Sequence, residues 1–242
     1  SRNYNLIVNG NRGKGGLAER LLGTTSSSLP AYAYCPIIVV PYTDDDGNLM
    51  HLNNTITKVA VGADESKWGV KALQIAADFA ASWNAELEVI SAVPEVKGVS
   101  SDDSVYDSYM DDLKTRVAPL QEKHPDLSVN CRIVPGSAVH TLTEASYSHD
   151  VVVVGSRGRG GFTGLLLGSI SQGLLQHAVS PVYVVPRKYV EAAESRLDTV
   201  PGSPADVKPK PLGDISGVEE APVSTASSEV VTEIEKTIDP KR

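Results

Sequence analysis

The chain has 242 residues, enough for one large domain or two smaller ones. Its 22 basic against 30 acidic side chains leave a net charge of −8, the wrong sign for a general attraction to phosphate backbones or anionic lipid. No apolar run approaches the roughly 20 residues that span a bilayer, so neither nucleic acid nor membrane is expected as a partner and a cytoplasmic location is expected.

The first segment of the chain recurs further along it. Setting Gly10 over Gly155 brings Asn5–Pro41 over Asp150–Pro186 without a gap, and 16 of the 37 pairs are identical. Such self-similarity marks a duplicated structural unit. The later copy starts near Lys58, well upstream of its glycine cluster, so an equal first copy would need residues before Ser1. Residues 1–42 are accordingly expected to be the C-terminal remnant of a first domain, 43–56 a linker, and 57–187 one complete domain.

Within the complete copy, Lys58–Ala63 is a short apolar strand, and Val70, Leu73, Ala77 and Ala80 fall on one face of a following helix. Glu86–Val93 is a second strand. A helix is expected over about residues 105–124, its acidic start (Asp102, Asp103, Asp107) suiting the positive end of the helix dipole; the ligand spacing of a calcium-binding loop is absent. Ser128–Val134 is a third strand, Ser137–Tyr147 a helix, Val151–Val154 a fully apolar strand, Ser169–Ala178 a helix and Pro181–Pro186 the last strand. Five strands alternating with four helices predict an α/β fold with a doubly wound, five-stranded parallel sheet. Residues 188–242 hold many prolines and few large apolar side chains and are expected to be a disordered tail, the disorder setting in beyond about Glu194. Cys35 and Cys131 stand apart from any CxxC or His pairing, so buried thiols are expected rather than a disulfide framework or a metal site.

In sheets of this kind a ligand lies beyond the carboxyl ends of the strands, where the strand order reverses. Two loops compete for that place. One is Gly62-Ala63-Asp64; the other runs from Gly155 through Arg157, Gly158 and Arg159 to Gly168-Ser169. Glycines let backbone N–H groups approach an anion closely, and a helix N-terminus adds oriented donors. Together they describe a phosphate cradle. The bland alternatives are that Ser169 with Gln172 forms an ordinary capping box, that the glycines make an ordinary loop, and that Asp64 is a solvated turn residue or N-cap. The spacing fits neither the P-loop nor the dinucleotide-binding fingerprint.

Gly155-x2-Gly158-x9-Gly168-Ser169 resembles the G-x2-G-x9-G-[S/T] signature of nucleotide-binding universal stress proteins, and Gly10-x2-Gly13-x9-Gly23-Thr24 resembles it again. The VAVGADES, PGSAVHTLTEA and SPVYVVP segments are similar to that family as well. The chain as a whole resembles a tandem member of the actinobacterial type, incomplete at its N-terminus. The resemblance implies an adenine-nucleotide α-hydrolase-like fold and binding of ATP with Mg2+. It sets Asp64 on the ribose hydroxyls, Gly62, Ala63 and Ala92 around adenine, and Val154 just before the glycine loop. Gly155, Arg157, Gly158, Gly168, Ser169, Ile170 and Ser171 match the phosphate-binding run, with Arg159 beside it. Gly62 departs from members that carry proline there. The remnant keeps the loop residues Gly10, Gly13, Gly23 and Thr24, with Arg12 and Lys14 beside them, but lacks an Asp64 equivalent, so it is expected to bind ATP weakly or not at all.

Segments 36–41 and 181–186 are matching edge strands, and antiparallel pairing between them would cover both edges; a homodimer is a further expectation. The function implied is a nucleotide-responsive regulator of stress adaptation. The alternatives are a slow ATP hydrolase, for which His140, His149 and His177 show no paired carboxylate in the sequence, and a structural dimerisation module that binds no nucleotide.

Overall fold

A computed structural model describes residues 4–11, 24–41, 55–95, 104–159 and 167–197. The described elements run β1 (Ile7–Gly10), α1 (Thr24–Tyr32), β2 (Ile37–Val40), β3 (Lys58–Gly62), α2 (Lys67–Trp83), β4 (Glu86–Val93), α3 (Asp107–Lys123), β5 (Val129–Pro135), α4 (Ala138–Ala145), β6 (Val151–Gly155), α5 (Ser169–His177), β7 (Val182–Val185) and α6 (Arg187–Leu197). A short 3-10 turn, Ser104–Tyr106, leads into α3. Gly13 and Gly23, with Arg12, Lys14, Asp102, Asp103 and residues 198–242, lie outside the described residues.

The strands form one sheet in the order β1-β2-β7-β6-β3-β4-β5. The five strands expected of the complete copy are there and pair in parallel. The sheet itself has seven strands rather than five, because β1 and β2 extend it, and the β2–β7 pairing is antiparallel. That junction joins the two segments expected to pair, with Ile37 opposite Val184 and Val39 opposite Val182.

The sheet is covered on both faces. On β6, Val151 and Val153 pack with α2, α3 and α6, while Val152 and Val154 pack with α1, α4 and α5. Alternation along a strand directs successive side chains to opposite layers, which explains why an uninterrupted Val-Val-Val-Val run is buried throughout. Helix α2 lies against the sheet by a stripe of small residues, Gly69, Ala72, Ala76, Ala77 and Ala80 with Leu73. The expected face is therefore corrected at one position: Val70 is 39% exposed, and Gly69 takes its place toward the sheet.

The equivalence of the two segments extends to individual hydrogen bonds. Register Ile7↔Ile37 to Gly10↔Val40 between β1 and β2 becomes Val152↔Val182 to Gly155↔Val185 between β6 and β7, a shift of 145 at every pair. Asn11 N–H donates to the Val40 carbonyl at 2.8 Å, and Ser156 N–H to the Val185 carbonyl at 2.8 Å.

The start of the expected tail is helical. Residues 187–197 form α6, with Val190 buried on the α2 side of the sheet and Lys67 Nζ 2.8 Å from Glu194 Oε2. The ammonium of Lys188 lies 5.2 and 5.4 Å from the ring centres of Tyr32 and Tyr34, so α6 also touches the first segment. Cys35 is buried and Cys131 half-buried, both free, and burial raises both thiol pKa values.

Candidate functional site

Strand order reverses between β3 and β6. From β3 the chain crosses to β4 on one side, and from β6 it crosses to β7 on the other. Their carboxyl ends diverge there, and a cavity of about 480 Å³ opens beyond them, within the size range of small-ligand sites.

The structure brings all thirteen residues expected in the complete copy to this one cavity. Gly62, Ala63 and Asp64 arrive from the end of β3, and Ala92 from β4. Val154 and Gly155 come from β6, Arg157, Gly158 and Arg159 from the loop, and Gly168, Ser169, Ile170 and Ser171 from the start of α5. Gly69, Ile90, Ala138, Leu142 and Leu167 also line it and were not anticipated. Leu142 had a signal in the apolar face of its helix; the close approach of Gly69 has none short of the folded chain.

The apolar wall is tightly set. A Cβ at Gly62 would lie 2.7 Å from Leu142 Cδ1 and 3.3 Å from Val154 Cγ1. Leu142 thus occupies the space a larger residue at 62 would need.

The opposite end is polar. Helix α5 begins at Ser169 with Gly168 as its N-cap (φ −72°, ψ 153°), and among the described residues no side chain caps it. The capping-box reading of Ser169 is therefore overturned: Ser169 is the first helical residue, and the position before it has no side chain. An uncapped first turn keeps its N–H donors available for an anionic oxygen. Gly168 N–H donates to the Ser156 carbonyl at 2.8 Å. The hydroxyl of Ser171, buried at 1% exposure, lies 3.2 Å from the Ser156 carbonyl and 3.0 Å from that of Gly168. Ser171 therefore fastens α5 to the loop with its hydroxyl, while its backbone belongs to the donor turn.

Asp64 faces the loop from β3. Its Oδ2 accepts the Arg159 N–H at 3.1 Å, and its Oδ1 accepts from Ser66. Ser66 is the N-cap of α2, so the turn-and-cap geometry around Asp64 is shared between two residues. Trp68 packs against the α2 side of the core; its carbonyl carbon and oxygen abut Gly155, where a Cβ would meet them at 3.1 and 3.0 Å.

Among the described residues no histidine lines this cavity. His140 and His177 are exposed. His149 does have a carboxylate neighbour that the sequence did not reveal, Glu88 Oε2 at 3.2 Å from Nε2, and Arg132 Nε lies 3.1 Å from Glu88 Oε1.

In the first segment, Gly10 ends β1, and its carbonyl accepts from the Ser26 hydroxyl at 2.7 Å and from Asn9 Nδ2 at 2.9 Å. Thr24 opens α1. Asn9 stands at the position equivalent to Val154, so the wall that is apolar in one copy carries an amide in the other.

The mainly parallel sheet with its ligand-type crevice defines an α/β protein of the doubly wound kind, and comparison with known proteins identifies the family. Residues 1–41 and 55–186 match the model of the universal stress protein family, and the chain belongs to that family. A universal stress protein of Mycolicibacterium smegmatis is 35% identical over 189 residues, covering 76% of this chain and 63% of the relative. One from Mycobacterium tuberculosis is 36% identical over 188 residues, covering 76% and 62%. The chain thus spans somewhat less than two thirds of the length of these relatives. Among solved structures, a universal stress protein from Archaeoglobus fulgidus has the same fold, with 24% identity, a TM-score of 0.55 and coverage of 77% of this chain and 62% of that one. Among the described residues no helix is long and apolar enough to cross a membrane.

Proposed function

We propose that this protein is an adenine-nucleotide-binding regulator of stress adaptation, and that ATP is its ligand. One observation carries the reading: an apolar wall, a carboxylate and an uncapped helix N-terminus stand around a single cavity at the switch point of the sheet. These three environments suit the three parts of a nucleotide. Gly62, Ala92 and Val154 would lie against the base, Asp64 would accept from sugar hydroxyls, and the Gly155–Gly158 loop with the first turn of α5 would hold the phosphates. Arg157 and Arg159 line the same end and supply charge-assisted hydrogen bonds, each worth about 1.5–3 kcal/mol. Mg2+ would enter on the phosphates; its part is to neutralise their charge.

The test is thermal melting with and without ATP and Mg2+, together with mass spectrometry of any nucleotide that co-purifies. At 100 times its dissociation constant, ATP stabilises the folded state by about 2.7 kcal/mol. Gly158→Val places a side chain against Asp64 Oδ2, 2.6 Å from where a Cβ would stand, and is expected to abolish the shift. A wild-type protein that neither carries nucleotide nor shifts with ATP overturns the proposal.

A further inference from the structure

The two oxygens of Asp64 serve different parts of the fold. Oδ1 accepts the Ser66 N–H at 3.1 Å and the Ser66 hydroxyl at 2.5 Å, and that hydroxyl in turn accepts the Gly69 N–H at 3.0 Å at the head of α2. Oδ2 accepts the backbone N–H of Arg159 at 3.1 Å. The carboxylate is also gripped sterically. A Cβ on Gly158 would stand 2.6 Å from Oδ2, and one on Gly69 would overlap Oδ1. Both glycines are therefore needed for the glycine loop and the start of α2 to close on this one side chain.

An ionised carboxylate has about four lone-pair sites. The Ser66 N–H and hydroxyl take the two on Oδ1, and the Arg159 N–H takes one on Oδ2. What remains on Oδ2 accommodates one further donor, whereas a ribose presents two adjacent hydroxyls. We propose that Asp64 couples sugar recognition to the position of the glycine loop: a ligand with a free 2′,3′-diol takes Oδ2 from the Arg159 N–H and so releases the loop from β3. The ligand half of this proposal rests on the nucleotide reading above; the anchoring of the loop by Asp64 does not.

The two halves are separable by amide hydrogen exchange. In the unliganded full chain, Asp64→Ala removes both acceptors and is expected to raise exchange at the Arg159 amide about ten-fold or more, with exchange in the β3 and β6 strands unchanged. Gly158→Ala keeps the charge but drives loop and carboxylate apart, and it is expected to do the same should Asp64→Ala fail to fold. Unchanged exchange at Arg159 in the folded variants overturns the anchoring. Adenosine at saturation is then compared with 2′,3′-dideoxyadenosine, with binding of each followed by calorimetry. The expected result is faster exchange at Arg159 with adenosine and no change with the dideoxy compound. Adenosine that binds without altering this amide overturns the coupling. If neither nucleoside binds although ATP shifts the melting temperature, the coupling through the sugar is overturned and the nucleotide reading stands. If ATP gives no shift either, the nucleotide reading falls and takes the ligand half with it, and the anchoring stands or falls on the unliganded result.

Discussion

Ile38 and Tyr183 face each other across the antiparallel junction, and they are the same position in the two segments, 145 residues apart. A pair of equivalent residues directly opposite one another marks a pseudo-two-fold axis between them. The neighbouring pairs, Ile37 with Val184 and Val39 with Val182, exchange roles under that axis. The junction is thus a symmetric contact made within one chain.

Tyr183 gives this junction a pH signature. It is 7% exposed, and burial, with smaller contributions from Tyr189, Cys35 and Asp78, pushes its phenol well above the ordinary value of 10.0. A raised folded-state pKa makes a contribution that is fully present below the unfolded value and is lost as pH rises from that value toward the folded one. Stability should therefore fall above about pH 10, by up to about 1.4 kcal/mol per pH unit from this group. Urea midpoints measured between pH 8 and 11 should fall less steeply in Tyr183→Phe. Equal slopes in the two proteins would remove Tyr183 as the cause.

The Gly62–Leu142 contact predicts a coupled pair of substitutions. Gly62→Ala would set its Cβ 2.7 Å from Leu142 Cδ1 and should cost about 1–3 kcal/mol by overpacking. Leu142→Ala alone should cost about 2–5 kcal/mol, because Leu142 is 3% exposed. The double variant should lose less than the sum, since the small residue at 142 makes room for the methyl at 62. Strict additivity in denaturant unfolding would mean that the two side chains do not compete for one space.

Asp150 holds the start of β3 from outside the cavity. Its Oδ2 accepts from Thr57 N–H at 2.7 Å, Thr57 Oγ1 at 2.9 Å and Lys58 N–H at 3.0 Å. Hydrogen bonds to a charged group contribute about 1.5–3 kcal/mol when well made, and less where water competes. Asp150→Ala should lower stability by about 1–3 kcal/mol and speed exchange at the Lys58 amide, while ATP binding, measured by calorimetry, stays close to wild type.

Ser171 should behave as a fastener of the loop. Ser171→Ala loses the hydroxyl that reaches the Ser156 and Gly168 carbonyls and should cost about 0.5–1.5 kcal/mol of stability. Its backbone N–H remains in place at the first turn of α5, so the loss of nucleotide affinity should be much smaller than for Gly158→Val. Abolished binding in the alanine variant would give the hydroxyl a direct part in holding the ligand.

Much of this site was legible before the fold, for a physical reason. The glycine spacing and the strand-ending Gly62-Ala63-Asp64 are local patterns, and the switch-point rule says where their strands end. The residues that were missed act across the chain. Gly69 matters because the Asp64 carboxylate presses on it, and Leu142 because it fills the space beside Gly62; both need three-dimensional neighbours to be recognised. Val70 was misplaced because Gly69 counts as featureless on an apolar wheel, although a stripe of small residues is what lets α2 lie close to the sheet. Helix α6 was hidden by averaging: Arg187–Leu197 has no proline, and all six prolines of the tail lie from Pro201 onward. His149 and Glu88 are far apart in sequence and meet only in the folded chain.

The antiparallel junction also sets a waiting time during synthesis. Ile38 leaves the ribosome 145 residues ahead of Tyr183, the residue it will face, and at about 5–20 residues per second that gap lasts roughly 7–30 s. Through that interval β2 can pair with β1 on one side, while its other edge has no intramolecular partner yet made. The symmetric contact is thus completed only late in synthesis, when β7 emerges to cover an edge of β2 made long before it.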